Sequence, residues 1–180
     1  MRIVAGDYKG RNLNAPMDER VRPTTGKVRE AIFSMLMNDI YDAVVVDLFA
    51  GTGGLGLEGL SRGARKCYFC DNSRDSLKLI KENIHICRAE DKSVIIAGGY
   101  EKALDRINEK CDILLLDPPY KDGLYLDAMN LAIENDIMSD EAVIVCEHDI
   151  HEDLPETIGR FSLVKSKKYG TIGVSLYRAV

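Results

Sequence analysis

The segment Asp117-Pro118-Pro119-Tyr120 directly follows the apolar run at residues 113–116. Two consecutive prolines restrict the backbone and remove two N–H donors, so the turn is rigid and presents carbonyl oxygens as acceptors. An exocyclic amine on a nucleobase has two N–H donors, which Asp117 and the Pro118 carbonyl can accept while Tyr120 stacks on the base. The turn therefore predicts amine chemistry, with Asp117, Pro118 and Tyr120 as catalytic residues.

A glycine-rich segment follows another buried apolar run. Gly51, Gly53 and Gly56 match the pattern Gly-x-Gly-x-x-Gly, which also occurs in nicotinamide and flavin sites. Asp47 precedes the glycines and would repel a pyrophosphate, but it suits the ammonium of a methionine moiety. Asp71 closes the next strand, where an acid can accept from the ribose hydroxyls of either cofactor. Electrostatics favour S-adenosylmethionine.

These residues resemble the Rossmann-like class I methyltransferases and, within them, the bacterial 16S ribosomal RNA guanine-N2 methyltransferases. The glycine loop and the Asp-Pro-Pro-Tyr turn are shared with many amino methyltransferases, whereas the Arg-Pro-Thr segment is more selective. The resemblance spans nearly the whole chain and is carried by residues 3–11, Arg22-Pro23-Thr24-Thr25, Val28-Arg29-Glu30, residues 47–53 and residues 117–120.

The resemblance implies a seven-stranded, mostly parallel sheet in the order 3-2-1-4-5-7-6, with helices on both faces and a small N-terminal hairpin and helix. It implies S-adenosylmethionine as the cofactor, no metal, and a target guanine N2 in a 16S ribosomal RNA hairpin loop of the assembling or assembled small subunit. The residues alone favour adenine N6 or cytosine N4 nearly as well. The implied cofactor-binding residues are Asp47, Phe49, Ala50, Gly51, Thr52, Gly53, Asp71, Asn72, Gly99 and Tyr100.

One departure from the family pattern follows the third predicted strand. Similar proteins usually place Asp or Asn near the adenine there, whereas this chain has Gly99. Backbone groups around Gly99 and Tyr100 are therefore expected to contact the adenine.

Length and composition predict one α/β domain over residues 1–180, with a basic RNA-binding arm at residues 1–25 and a catalytic core at residues 26–180. There is no apolar N-terminal segment behind basic residues and no apolar stretch of roughly 20 residues, so a cytoplasmic enzyme is expected. The five cysteines are odd in number and fit a reducing compartment.

Charge is unevenly distributed along the chain. Residues 1–30 carry seven Lys and Arg against four Asp and Glu, although the whole chain has a net charge of −5. A basic segment on an acidic body suits a phosphate backbone. A second basic cluster lies at residues 165–168 and is expected to extend the same surface. The predicted RNA-binding residues are Lys9, Arg11, Arg22, Thr24 and Arg29.

Hydrophobic periodicity predicts the elements that position these residues. The helix after the arm has an apolar face and is capped by Thr24 or Thr25. A hairpin that turns at Gly170 is expected near the end of the chain. Strands are predicted near 43–48, 65–71, 92–97, 111–117 and 141–147, and helices near 54–62, 73–88, 100–109 and 124–136.

Two further motifs are interpreted as structural. Positions Cys67 and Cys70 would point to opposite faces of a strand, and no second cysteine pair completes four metal ligands. His148 and His151 lie after an apolar strand, in a polar loop.

Three rival classes stay open beside the ribosomal RNA enzyme. They are an amino methyltransferase acting on DNA or another RNA, a nicotinamide oxidoreductase, and a non-catalytic RNA-binding module. The chain has no evident separate target-recognition domain for DNA, and Asp47 disfavours the oxidoreductase.

Overall fold

The computed structural model describes residues 1–17, 24–119 and 123–180. Strands and helices alternate through most of these residues, as the periodicity predicts. The helices are α1 (Gly26–Met35), α2 (Gly54–Ser61), α3 (Arg74–Cys87), α4 (Tyr100–Arg106) and α5 (Leu124–Glu134), with a short 3-10 turn at Glu90–Lys92. The strands are β1 (Val44–Asp47), β2 (Lys66–Asp71), β3 (Ser93–Ala97), β4 (Cys111–Leu116), β5 (Met138–Asp149), β6 (Thr157–Ile158), β7 (Phe161–Tyr169) and β8 (Ile172–Ala179).

All these strands belong to one mixed sheet in the order β3-β2-β1-β4-β5-β8-β7-β6. The first five run parallel, and β8 is antiparallel to both β5 and β7. The seven longer strands have the predicted order. The remaining strand, β6, is a two-residue strand at the edge of the sheet, where it pairs with the start of β7. The sequence pattern did not predict it. Such a short element carries no periodicity to detect.

Alternation along the parallel strands divides the core into two layers. Val45, Ile113 and Val143 face α1, α2 and α3, whereas their neighbours along each strand face α4 and α5. Cys67 and Cys70 fall in opposite layers, as predicted from their spacing. Both faces are covered by helices, which explains why the strand sequences are almost continuously apolar.

The first 13 residues form a hairpin that folds back onto α2 and α3. Arg2 and Asn12 form an antiparallel bridge, and Ile3 and Leu13 are buried in the α1–α3 layer. The following helix begins after Thr25, whose hydroxyl accepts from the Val28 N–H. Thr25 is therefore the cap, and the alternative, Thr24, is free for another role.

Some elements end at other residues than predicted. Strand β5 continues to Asp149, because its polar terminal residues pair with β8. Helix α4 ends at Arg106, three residues earlier than expected. Within the described ranges, no helix is both long and apolar enough to cross a membrane.

Candidate active site

Acidic side chains collect at the carboxyl ends of four neighbouring parallel strands. Asp47 ends β1, Asp71 ends β2, Asp117 follows β4, and Glu147 lies near the end of β5. The alternation of each strand directs these side chains to the face covered by α1, α2 and α3. The carboxyl ends of parallel strands are the usual position for a ligand in an open α/β sheet.

Glu147 is a site residue that the sequence analysis missed. It follows the apolar strand residues 142–146 in the same way that Asp117 follows residues 113–116. This common position at the end of an apolar strand was the available signal.

The glycine loop between β1 and α2 leaves space where a ligand can approach the backbone. Gly51 and Gly53 have positive φ values of 58° and 80°, and a Cβ added at Gly51 would meet no atom within 4 Å. Gly56 has another role, because a Cβ there would lie 2.4 Å from the Phe69 ring. The first two glycines therefore shape the loop, and the third allows α2 to pack on β2.

Buried polar side chains hold this loop in place. The Asp71 carboxylate accepts from the Gly51 N–H at 2.9 Å, and Thr52 is buried and accepts from the Gly54 N–H. Asn83 of α3 is fully buried and donates to the Thr52 carbonyl at 2.8 Å. The sequence analysis missed Asn83, since an asparagine within a helix gives no indication of a distant partner.

Asp47 is buried with one oxygen unpaired. Its Oδ2 accepts from the Gly56 N–H at 3.0 Å, whereas Oδ1 has no hydrogen-bond partner and the residue is 1% exposed. Burial raises the pKa of Asp47 to about 7, with Asp117 and Asp71 adding repulsion and the Gly56 bond opposing it. An unpaired carboxylate oxygen beside an open glycine loop fits a cationic ligand group.

The other end of the cofactor region is formed by residues 71–73 and 98–100. Asp71 Oδ1 accepts from the Ser73 N–H, and Asn72 is exposed beside it. The Phe49 and Tyr100 rings lie 6.2 Å apart between centroids, and Gly99 begins α4. Phe49 and half-buried Tyr100 thus supply an apolar surface where an adenine-contacting residue was expected.

Asp117 is half-buried and connected to Glu147 through one hydroxyl. Thr24 Oγ1 lies 3.0 Å from Asp117 Oδ2 and 3.1 Å from Glu147 Oε2. Burial raises the pKa of Asp117 to about 6, and burial together with the nearby Asp117 charge raises the pKa of Glu147 to about 8. Pro118 is buried and makes the turn rigid beside this pair, whereas Tyr120 lies outside the described residues.

Arg29, which was predicted to contact RNA, is buried. Arg29 is 3% exposed, its guanidinium lies 3.4 Å from Glu58, and it donates to the Arg2 carbonyl at 2.5 Å. Desolvation lowers its pKa, with Glu58 opposing this. Because Glu58 also accepts from the Val4 and Ala5 N–H groups, Arg29 holds the N-terminal hairpin on α2.

The remaining predicted RNA-binding residues are distributed between surface and interior. Lys9 is exposed, whereas half-buried Arg11 donates to the Cys87 and Ile86 carbonyls at the end of α3. Thr24 lies in the acidic site, as described above. Arg22 lies outside the described residues. In β7, Lys165, Lys167 and Lys168 are exposed.

His148 lies in strand β5 and not in the predicted loop, whereas His151 lies in the turn that follows the strand. His148 is buried, with one ring nitrogen 2.8 Å from the Ser175 hydroxyl and the other 2.8 Å from the Asp149 carbonyl. Searching the described ranges finds no group of three or more His, Cys, Asp or Glu placed to hold a metal. The ring therefore joins β5 to β8.

The sheet order, the glycine loop after β1 and the Asp-Pro-Pro turn after β4 together define a Rossmann-like class I methyltransferase. The chain belongs to the family described as "Conserved hypothetical protein 95", whose model matches residues 1–178.

Relatives with assigned names agree with this class. The chain is 35% identical over 181 residues to "Putative rRNA methyltransferase YlbH" of Bacillus subtilis, covering 99% of this chain and 98% of that protein. It is 33% identical over 178 residues to "Ribosomal RNA small subunit methyltransferase D" of Escherichia coli K12, covering 99% and 89%. The solved structure "Putative methyltransferase yhhF from Escherichia coli" superposes with a TM-score of 0.89 at 32% identity, covering 99% and 97% of the two chains.

Proposed function

We propose that this protein transfers a methyl group from S-adenosylmethionine to the exocyclic N2 amine of a guanine in a small-subunit ribosomal RNA loop. The observation that carries the proposal is the position of Asp117. This carboxylate lies at the site edge beside a rigid proline turn, and its Oδ1 has no hydrogen bond among the described residues. The relatives' names support ribosomal RNA as the substrate, and the family resemblance supports guanine N2.

The residues around the glycine loop fit S-adenosylmethionine. The unpaired Asp47 Oδ1 would accept from the ammonium, and the open side of Gly51 would admit the ligand next to the backbone. Asp71 has lone pairs left for ribose hydroxyls, while Phe49 and Tyr100 would contact the adenine. The bound cofactor would supply an activated methyl group on a sulfonium centre. No metal is needed for this chemistry.

Asp117 and the Pro118 carbonyl would orient the target amine by accepting its two N–H groups. As the nitrogen gains positive charge, the bond to Asp117 strengthens, so this residue acts mainly on the barrier. Tyr120 would stack on the extruded base. A loop base costs less to extrude than a paired one, which favours a hairpin-loop target.

The RNA would be positioned by basic side chains. Strand β7 runs parallel to β5, so Lys165, Lys167 and Lys168 lie near the carboxyl edge that carries Glu147. They would contact phosphates around the target loop, whereas Lys9 and Arg11, next to the C-terminal ends of α2 and α3, would contact the RNA farther from it; Arg22 is retained from the sequence prediction. We propose residues 1–25 as an RNA-binding segment and residues 26–180 as the catalytic core, with the β7 lysines as a further RNA contact.

The test is single-turnover transfer of a labelled methyl group to unmethylated small subunits, with the product nucleoside identified by mass spectrometry. We expect N2-methylguanosine in a loop of the 16S RNA, formed on the order of a hundredfold more slowly with Asp117→Ala. Naked 16S RNA and a DNA duplex serve as competing substrates. Methylation of adenine N6 or cytosine N4, on either nucleic acid, would replace the proposed function with the alternative amino methyltransferase.

A further inference from the structure

Glu147 places a second carboxyl group next to Asp117, and the proposed methyl transfer assigns no role to this second group. We propose that Glu147 is a positioning residue that stays protonated in the resting enzyme, donates to Thr24 Oγ1, and through that hydroxyl holds Asp117 as an ionised acceptor. The inference rests on the proposed amine methylation.

The geometry around Thr24 requires a shared proton. A hydroxyl has one proton to donate and lone pairs to accept with. Thr24 Oγ1 is within hydrogen-bond distance of both Asp117 Oδ2 and Glu147 Oε2. If both carboxyls were ionised, one of these contacts would join two acceptors. Both contacts become hydrogen bonds only when one carboxyl carries a proton.

Burial decides which carboxyl holds that proton. Glu147 is 6% exposed, whereas Asp117 is half-buried next to the turn. The cost of an unpaired buried charge is therefore larger for Glu147. Burial raises the pKa of both carboxyls, and the nearby Asp117 charge raises the pKa of Glu147 further. At neutral pH, therefore, protonated Glu147 donates to the Thr24 hydroxyl, and that hydroxyl donates to the Asp117 carboxylate.

The surrounding groups do not supply a counter-charge to Glu147. Its partner across β8 is Val174, and the neighbouring His148 points to the opposite face, towards Ser175. Ion pairs among the described residues include neither Asp117 nor Glu147. Charged groups at this edge include Asp47 of β1, Asp71 of β2 and the exposed Lys167 of β7, which is in register with Glu147 but two strands away from it.

The proposed role changes no bond in the transfer step. The substrate nitrogen bonds to the methyl carbon, the electron pair of the carbon–sulfur bond goes to sulfur, and one N–H proton passes to Asp117. Glu147 exchanges no atom with the substrate. It keeps one Asp117 oxygen occupied by Thr24, so that the other oxygen faces the amine with a defined orientation.

Two substitutions at Glu147 separate donation from packing. Glu147→Gln keeps a donor towards Thr24, and we expect single-turnover rates on small subunits within about threefold of wild type at pH 7. Glu147→Leu fills similar space without a donor and should lose about tenfold, the equivalent of one hydrogen bond. The wild-type rate should fall above about pH 8, where Glu147 ionises, whereas the Glu147→Gln rate should not.

Substitutions at Thr24 test the connecting hydroxyl. Thr24→Ser should retain most of the rate, and Thr24→Val should lose about tenfold. Thr25→Val is the matched control, because it removes a neighbouring hydroxyl that caps α1 and contacts neither carboxyl. Equal losses for Glu147→Gln and Glu147→Leu, or for Thr24→Val and Thr25→Val, would overturn the positioning role.

Carboxyl carbon NMR of the ligand-free protein tests the proton directly. We expect one protonated carboxyl in the Asp117–Glu147 pair at pH 7, which disappears in Glu147→Gln. Two ionised carboxyls at pH 7 would refute the inference even if guanine N2 is methylated. Conversely, a protonated Glu147 in an enzyme that methylates another atom would retain the proton assignment and overturn the proposed function alone.

Discussion

Two groups of buried carboxylates lie on the same face of the sheet and differ in their partners. Glu58 in α2 is fully buried, accepts from the Val4 and Ala5 N–H groups, and forms ion pairs with Arg29 and Arg62. Asp47 and Glu147 are almost as buried, but no ion pair among the described residues includes either of them. Burial is therefore common to scaffold and site, and the difference lies in whether the charge is already compensated.

The largest expected effect is on stability, at Glu58, whose charge is compensated by ion pairs. Glu58→Ala should lower the free energy of unfolding by about 3–5 kcal/mol, because it leaves Arg29 buried without its partner. Denaturant unfolding measures this change. Lys78→Ala, which removes an exposed pair with Glu82, is the control and should change stability by less than about 0.5 kcal/mol. A Glu58→Ala loss as small as the control would break the comparison.

Asp117→Ala should show the opposite profile, with a large rate loss and little loss of stability. Removing a preorganised charge at a reacting centre lowers the rate by on the order of a hundredfold or more. The measurement is single-turnover methyl transfer at saturating cofactor. Asp112→Ala is the matched control on the same strand, because Asp112 accepts from the Val44 N–H. It should reduce stability and leave the rate per folded molecule unchanged, and the reverse result would contradict the assignment.

Cofactor affinity provides the next test. Asp71→Ala should weaken S-adenosylmethionine binding by one or two decades, since a hydrogen bond to a charged group contributes about 1.5–3 kcal/mol. Calorimetry on the folded variant measures the affinity. Asp75→Ala, an exposed acid in the first turn of α3, should bind as wild type does. Unchanged affinity in Asp71→Ala would remove Asp71 from the cofactor site.

The pH dependence of stability distinguishes the two carboxylate groups without any ligand. Burial raises the pKa of Asp47 to about 7, of Asp117 to about 6 and of Glu147 to about 8. Between pH 5 and 8 the folded protein therefore holds protons that the unfolded chain has released, so the unfolding free energy from these groups falls as pH rises. Denaturation midpoints should show a shallower fall in Glu147→Gln. An unchanged slope would argue against the raised pKa.

The smallest expected effect concerns basic side chains, which are compared by whether they already have a partner within the protein. Lys167→Ala should lower the salt slope of RNA binding by about one, because this side chain is exposed and is free to contact a phosphate. Lys110→Ala, at the amino end of β4, is the control and pairs with Asp136. Because Arg29 is buried, an Arg29→Met variant that remains folded should show the same salt slope of RNA binding as the wild type. A drop of one unit for Arg29 would return it to the RNA surface.

Much of the site was predictable because local sequence determines it. The proline turn after β4 and the glycines after β1 act through backbone constraints that neighbouring residues set. Asp47, Asp71 and Asp117 were found because each ends an apolar run, and parallel strands place such ends at one edge. The sheet order of the longer strands came from family resemblance and is confirmed.

By itself, the sequence determined the alternating α/β pattern, the glycine loop and the positions of three acids, since each depends on residues close together in the chain. Only the tertiary structure decided which charges are compensated. Arg29 meets Glu58 across 29 residues, and Thr24 bridges Asp117 and Glu147, which lie 93 and 123 residues away. The composition counts Arg29, Glu58, Asp117 and Glu147 alike as charged. Packing determines which partners they reach, and therefore which of them belong to the scaffold and which to the site.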